Sequence, residues 1–312
     1  MVVFKMPSMM KIGSPVLRVR NIDKVLAFYE KSLGLQVSSR YHRYHTDDGN
    51  GDLACELDVK HKSSLSINCP LLIIQHDPYA KNVSQNSAGL FHFAILVPDR
   101  KSLASTYLAV RNSGVRYDGF ADHLVSESLY LRDPENNGIE IYRDRPNIEW
   151  PRDIEGHIMM DTLPLDLNSL VSEELDKEER KNTEAFPTGA RIGHIHLKVT
   201  NLERSIKFYH EKLGLDITLD WSTMGAAFLS AGGYHHHIGI NTWNSLGGKI
   251  HTHGEVGLEY FTIIVPDRSS INAIKSNIYD PVSSQRQKKQ MVDKNQFFVF
   301  DPDGIQIVIK SE

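Results

Sequence analysis

The stretch NIDKVLAFYEKSLGL, residues 21–35, decides the fold because the chain repeats it. The pattern returns 180 positions later as NLERSIKFYHEKLGL, residues 201–215, keeping the asparagine, the Phe-Tyr pair and the Leu-Gly-Leu end. In each copy the asparagine suits a helix N-cap, and a glycine lies where the helix would end. The stretch therefore predicts a helix over residues 22–33 and a second copy of the same unit later in the chain.

A second repeated signal divides each half again. The sequence VPDR at 97–100 returns 168 positions later at 265–268, and Asp133-Pro134 returns at the same spacing as Asp301-Pro302. Each unit reads as a strand ending in Val-x-Asn/Asp, a helix, and shorter strands separated by turn residues. The pattern predicts an α+β chain of four βαβββ modules. The first pair spans 11–145 (modules 11–80 and 89–145), a charged linker spans 146–189, and the second pair spans 190–312 (modules 190–245 and 255–312).

Length and composition restrict the class of protein. The 312 residues, 40% of them hydrophobic, suffice for two domains with real cores. A net charge of -4 gives no general attraction to nucleic acid or anionic membranes, and no run of eighteen apolar residues occurs, so both are excluded as primary partners. The two cysteines, Cys55 and Cys69, are interpreted as buried free thiols. They favour a reducing compartment, the cytoplasm.

The opening strands single out two histidines. When the four strands are aligned on Val-x-Asn/Asp, only the second and third modules carry a histidine seven positions before the Asn or Asp. The four residues at that position are Ser14, His92, His194 and Tyr260.

The closing strand GIEIY, residues 138–142, adds a carboxylate. Glu140 lies within an apolar strand, where a carboxylate is costly to bury unless it is paired or bound to a cation. Aligned through Asp-Pro, with two extra residues in the second module, Glu140 matches Gln306 of the fourth. Two imidazoles and one carboxylate are the set that binds Fe(II) on one face and leaves positions open for substrate and dioxygen.

Four segments together resemble the vicinal oxygen chelate superfamily of glyoxalases and extradiol dioxygenases. They are FHFAILVPDR (91–100), HLVSESLYLRDPENNGIEIY (123–142), GHIHLKV (193–199) and SAGGYHHHIGINTW (230–243). The likeness covers nearly the whole chain and is greatest to bacterial catechol 2,3-dioxygenase-like and hydroquinone ring-cleaving proteins. It implies that the four modules form two barrel-like clefts. It also implies His92, His194 and Glu140 as iron ligands, with His123 and Tyr130 as hydrogen-bonding partners of the substrate.

The resemblance further implies a histidine that exchanges protons with substrate and bound oxygen, supplied by the closing strand of the third module. If residues 232–243 form a strand, His235 and His237 share a face with Gly239 while His236 points away. A glycine at the ligand position would leave space over the metal. His237 is therefore the first candidate and His235 the second.

These features predict an Fe(II)-dependent extradiol dioxygenase that acts with O2 on a catechol or hydroquinone-type aromatic, with Mn(II) as the alternative metal. One competing interpretation is a glyoxalase-like lyase or isomerase, which would place a fourth ligand, such as a Glu, at Gly239. Another is an aromatic-compound binding or resistance protein, which would have an incomplete ligand set. A homo-oligomer is compatible with the sequence.

The ligand positions also predict the pairing of modules. His92 and Glu140 belong to the second module and His194 to the third, yet all three must reach one ion at about 2 Å. The second module should therefore pair with the third and the first with the fourth, while the linker crosses the outside. The alternative is a swapped dimer, in which the second module of one chain meets the third module of another.

Overall fold

The computed structural model describes residues 4–44, 51–59, 70–181, 183, 186–279 and 295–312. The helices there are α1 (Ile22–Ala27), α2 (Arg100–Asn112), α3 (Leu167–Glu174), α4 (Leu202–Lys207) and α5 (Arg268–Ile278). The strands are β1 (Lys11–Val19), β2 (Gln36–Tyr44), β3 (Gly51–Asp58), β4 (Leu72–His76), β5 (Gly89–Leu96), β6 (Tyr117–Asp122), β7 (Ser126–Arg132), β8 (Gly138–Asp144), β9 (Arg191–Lys198), β10 (Asp216–Trp221), β11 (Ala226–Ser230), β12 (Ile238–Asn241), β13 (Gly257–Val265), β14 (Gln296–Phe300) and β15 (Gln306–Ser311).

The repeated stretch forms the predicted helix in both copies. The Asn21 side chain caps α1 by accepting the Lys24 N–H at 3.0 Å, and Asn201 caps α4 by accepting the Arg204 N–H at 2.9 Å. Each short helix continues into a π-helical turn, Phe28–Ser32 in the first copy and Phe208–Lys212 in the second. The asparagine is repeated because it caps the helix, and the Phe-Tyr pair is repeated because it begins the π-helical turn.

The Phe-Tyr motif contacts the Asp-Pro motif in both halves of the chain. The Tyr29 hydroxyl donates to Asp133 Oδ2 at 3.2 Å, and the Tyr209 hydroxyl donates to Asp301 Oδ2 at 2.9 Å. Both tyrosines are fully buried, so each hydroxyl needs such a partner. The Phe-Tyr and Asp-Pro repeats are thus the two halves of one buried contact that occurs twice.

The strand order follows the predicted pairing of modules. The strands of the first and fourth modules form a seven-stranded sheet in the order β14-β15-β13-β1-β4-β3-β2. Those of the third and second modules form an eight-stranded sheet in the order β10-β11-β12-β9-β5-β8-β7-β6. The α+β class and its four-module organisation are confirmed.

The described chain divides into two compact units. One consists of Met1–Pro15, Lys81–Phe91 and His194–Glu312, and its buried core includes Phe261, Phe297 and Tyr209. The other consists of Val16–Ala80 and His92–Gly193, and its buried core includes Tyr29, Phe93 and Leu57.

Within the second of these units, the stretch 146–189 is tied to α2 by charge. Arg100 at the start of α2 binds Glu173 of α3 at 3.0 Å and buried Glu127 of β7 at 2.9 Å. Arg143 of β8 binds the same Glu127 at 2.7 Å. Arg145 lies 3.5 Å from the other oxygen of Glu127. Because Glu127 is buried, its three arginine partners offset the cost of removing the carboxylate from water.

The Asp-Pro turns have the same length in the second and fourth modules. Asp133 N–H donates to Asn137 O at 3.0 Å, and Asp301 N–H donates to Ile305 O at 2.9 Å. Each turn closes over four residues, so the expected two-residue insertion is absent.

The strand register agrees and corrects the alignment of Glu140 with Gln306. In the second module Ala94 lies opposite Glu140, and in the fourth module Thr262 lies opposite Val308. Thr262 comes 168 positions after Ala94, and Val308 comes 168 positions after Glu140. The equivalent of Glu140 is therefore Val308. The sequence alignment was wrong because Asn137 occupies the turn position that Ile305 occupies in the fourth module.

The predictions about the cysteines and about membrane-spanning segments can be compared with the structure. Cys55 is buried and free, whereas Cys69 lies outside the described residues. Among the helices that the structure describes, each is too short or too polar to cross a membrane.

Candidate metal centre

Three neighbouring strands carry the three predicted ligands. In the order β9, β5 and β8, these strands bear His194, His92 and Glu140, whose exposed fractions are 1%, 6% and 3%. Each residue offers one ligand atom, and these atoms all lie within 4.8 Å of one another. The predicted proximity is therefore observed, and the donor set of two imidazoles and one carboxylate suits a divalent metal ion.

The two predicted ligands from the second module lie within contact distance of each other. His92 Nε2 lies 2.9 Å from Glu140 Oε2, while Ser128 Oγ donates to the other oxygen, Oε1, at 2.7 Å. Two atoms bound to one ion at about 2 Å and at right angles are about 3 Å apart, which matches the first distance. The serine holds the carboxylate so that Oε2 faces the histidine.

The sheet register shows why this centre occurs at a single position of the repeat. In all four modules the opening strand runs parallel to a closing strand, and one closing-strand residue occupies the position of Glu140. The other three are Gly239, Ile73 and Val308, none of which can ligate a metal through its side chain. Among these four described positions, only the second module supplies a carboxylate.

Tyr130 lies next to this group and His123 contacts Tyr130; their expected role as hydrogen-bonding partners of the substrate stays a prediction. Tyr130 of β7 is directly opposite Glu140 of β8, and its ring is 5.7 Å from the His92 ring. Its hydroxyl lies 2.7 Å from His123 Nε2. Burial, and then the negative charge of Glu140, raise the pKa of Tyr130 well above its ordinary value. The tyrosine therefore stays neutral and can both donate and accept hydrogen bonds at its hydroxyl.

The three consecutive histidines differ from the sequence expectation. Strand β12 begins at Ile238, so alternation along a strand does not extend to residues 235–237. His236, which was expected to point away, has its ring centroid 4.1 Å from that of His194, whereas the His235 ring is 6.3 Å away. All three histidines are buried, which excludes a surface cluster.

The other two histidines have partners of their own. His237 Nδ1 lies 2.8 Å from Ser230 Oγ, and His235 Nδ1 lies 2.7 Å from His236 Nδ1. Since two neutral imidazoles share such a contact only when one donates and the other accepts, His235 constrains the tautomer of His236.

His196 was missed by the sequence reasoning. It lies two residues after His194 on the same strand, is buried, and stands opposite Gly239. A Cβ built on Gly239 would lie 2.9 Å from His196 Cγ, so the histidine ring fills the space that the glycine was expected to leave open. The period of two along β9 was the signal that could have found it.

Replacing Gly239 with alanine should destabilise the protein by about 1–3 kcal/mol, because the new methyl group overpacks against the His196 ring. Thermal unfolding of the variant would measure this loss. Gly119→Ala is the matched control, since Gly119 is also in a strand and a Cβ there meets nothing within 4 Å. Equal melting temperatures for the two variants would contradict the packing described here.

Known proteins resemble this chain in sequence and in fold. A catechol-2,3-dioxygenase of Bacillus subtilis (strain 168) is 38% identical over 268 residues, covering 86% of this chain and 87% of that protein. A solved structure of a candidate dioxygenase from Bacillus subtilis superposes with a TM-score of 0.59 at 12% identity, over 99% of this chain and 86% of the other. Glyoxalase I from Zea mays gives 0.52 at 16% identity, over 97% and 92%. At these identities the two structures show a common fold alone.

A sequence model of one superfamily matches both halves of the chain, over residues 11–141 and 191–309. The matched ranges contain His92, Glu140 and His194, and they leave out the whole linker, residues 146–189. The chain belongs to the Glyoxalase/Bleomycin resistance protein/Dioxygenase superfamily.

Proposed function

We propose that this protein is an extradiol ring-cleaving dioxygenase that uses Fe(II), or alternatively Mn(II), to open a catechol or hydroquinone-type aromatic ring with O2. The observation that carries the proposal is the buried set of His92, Glu140 and His194, whose ligand atoms lie within 4.8 Å of one another. Its 38% identity to a catechol-2,3-dioxygenase supports the reaction class.

These three residues would hold the metal through two imidazole nitrogens and one carboxylate oxygen. Three protein ligands on one face leave coordination positions for the substrate oxygens and for O2, so that electrons can pass from the ring to oxygen. The three side chains are buried, and in such a setting each hydrogen bond to a reacting oxygen is stronger than in water.

Tyr130 and His123 would orient the substrate. The Tyr130 hydroxyl is neutral and is fixed by His123 at 2.7 Å, beside the carboxylate of Glu140. A hydroxyl held in this way can accept a hydrogen bond from a phenolic hydroxyl of the substrate and so orient the ring.

His236 is the group we assign to proton transfer, with His237 and His235 as the candidates from sequence. Its ring lies against His194 at 4.1 Å, and its Nδ1 is engaged by His235 at 2.7 Å. The His236 imidazole would take the proton of a substrate hydroxyl and return it to the ring-opened product.

The glyoxalase-like alternative needs a fourth protein ligand at Gly239. That position has no side chain, and the His196 ring lies over it. The alternative of a metal-independent aromatic-binding protein does not account for a buried carboxylate beside two histidines, an arrangement that is costly unless a cation binds there.

Protein loaded anaerobically with Fe(II), and in parallel with Mn(II), should consume O2 when catechols or alkyl- or chloro-hydroquinones are added, and should form a yellow ring-opened product. An oxygen electrode and absorbance spectra would measure both. A hemithioacetal of methylglyoxal and glutathione serves as the lyase substrate. Turnover of that compound, with no O2 uptake on any aromatic, would overturn the proposal in favour of the glyoxalase class.

A further inference from the structure

The turn that carries His123 is strained and held from several sides. Leu124, the next residue, has a φ of 69°, a left-handed conformation that is costly for a leucine. The turn is closed by His123 N–H, which donates to Ser126 O at 2.8 Å, and by Leu124 N–H, which donates to Asp122 Oδ1 at 2.9 Å. Backbone of this kind persists only where its surroundings fix it.

Part of that fixation comes from the linker. Asp122 N–H donates to Leu163 O at 2.8 Å, and Leu163 N–H donates to Asp122 O at 2.9 Å, so residue 163 pairs with the end of β6 as an added strand would. The Asp122 side chain also accepts from Arg145 Nη2 at 2.7 Å. Asp122 is thereby held through both its main chain and its carboxylate.

The same linker segment reaches the His123 ring. His123 Nδ1 lies 2.8 Å from the main-chain oxygen of Asp161. A carbonyl oxygen can only accept, so Nδ1 must carry a proton, and in the neutral ring Nε2 is left as an acceptor. At 2.7 Å from Nε2, the Tyr130 hydroxyl then donates its hydrogen to His123, which leaves its oxygen lone pairs to accept from another group.

We propose that linker residues 161–163 are a positioning element of the active site: the Asp161 carbonyl sets the tautomer of His123, which in turn makes Tyr130 an acceptor for a substrate hydroxyl. This specificity rests on the proposed function, since it requires a hydroxylated substrate. It predicts a preference for aromatics that keep a protonated hydroxyl next to Tyr130 over their O-methyl ethers, which cannot donate.

The tautomer can be measured without any turnover. Long-range 1H–15N NMR of the full chain, labelled with 15N-histidine and loaded with diamagnetic Zn(II), distinguishes the two ring nitrogens, and His123→Gln identifies the signals of this residue. At a pH where histidine is neutral, we expect His123 to be protonated at Nδ1 and unprotonated at Nε2. A wild-type ring that carries its proton on Nε2 would overturn the proposal, whatever the enzyme catalyses.

Leu163→Pro tests the role of the linker, because proline removes the N–H that Leu163 donates to Asp122. We expect His123 to average between tautomers and kcat/KM to fall about ten- to a hundredfold with metal content unchanged. Lys181→Pro is the control, since it removes another main-chain bond of the linker, that to Glu178 O, and should change neither readout.

A Leu163→Pro variant that keeps both the wild-type tautomer and the wild-type kcat/KM would contradict the positioning role. If this variant does not fold, the wild-type NMR spectrum still decides the tautomer. If His123 has the predicted tautomer but the protein opens no aromatic ring, the proposed function is refuted while the role of Asp161 stands.

Discussion

Replacing Glu140 with glutamine should reduce the bound metal to background and abolish ring cleavage. Glu140 supplies the only negative charge among the three proposed ligands, and its Oε2 faces His92 Nε2 at 2.9 Å. A neutral amide of the same shape cannot balance the charge of a divalent ion in a buried site. The loss in metal affinity should exceed the roughly 10–100-fold that follows removal of an outer-shell partner.

Glu259→Gln is the matched control for this experiment. Glu259 is also a buried glutamate on a strand next to a histidine, with its Oε1 2.7 Å from His253 Nδ1. The control should retain both metal and turnover. Elemental analysis after dialysis measures the metal, and normal metal content in Glu140→Gln would show that the ligand assignment is wrong.

His236→Phe should retain metal and substrate binding but lower kcat by about 10²–10⁴-fold, the usual range for loss of a general acid–base group. The assignment follows from the 4.1 Å separation of the His236 and His194 rings. His237→Phe should lower kcat less, because His237 is engaged by Ser230 Oγ at 2.8 Å. Single-turnover kinetics and metal analysis separate chemistry from binding.

The opposite ranking, with the larger loss in His237→Phe, would restore the sequence-based choice. Loss of metal in His236→Phe would instead make His236 a ligand. His235→Phe tests the remaining candidate and should have an intermediate effect, since His235 acts on His236 through the 2.7 Å contact between their Nδ1 atoms.

The fold and the proximity of His92, Glu140 and His194 could be predicted because both depend on regular, repeated structure. His92 and His194 occupy the same place in two copies of one strand, and a strand fixes the direction of every side chain by its period of two. Pairing of the second and third modules followed from the need to bring both residues to one ion. The structure gives the strand order that this pairing requires.

The parts that could not be predicted lie where this regularity ends. His236 precedes β12, so its direction is set by a turn rather than by strand alternation. The alignment of Glu140 with Gln306 was wrong because it assumed two extra residues in the turn of the second module. The hydrogen bonds that close the two turns show that both turns have the same number of residues. Asp161 acts through its main-chain oxygen, which every residue has, so no side-chain pattern could have identified it.

The most direct test of ring cleavage is to follow the oxygen atoms. Protein loaded with Fe(II) and supplied with 18O2 and a catechol should yield a ring-opened product that contains both labelled atoms, as mass spectrometry would show when samples are taken before the aldehyde oxygen exchanges with water. Glu140→Gln should form none of this product. A product that carries no label, or an aromatic ring that remains intact while another substrate is isomerised, would contradict the assignment of this protein as an extradiol dioxygenase.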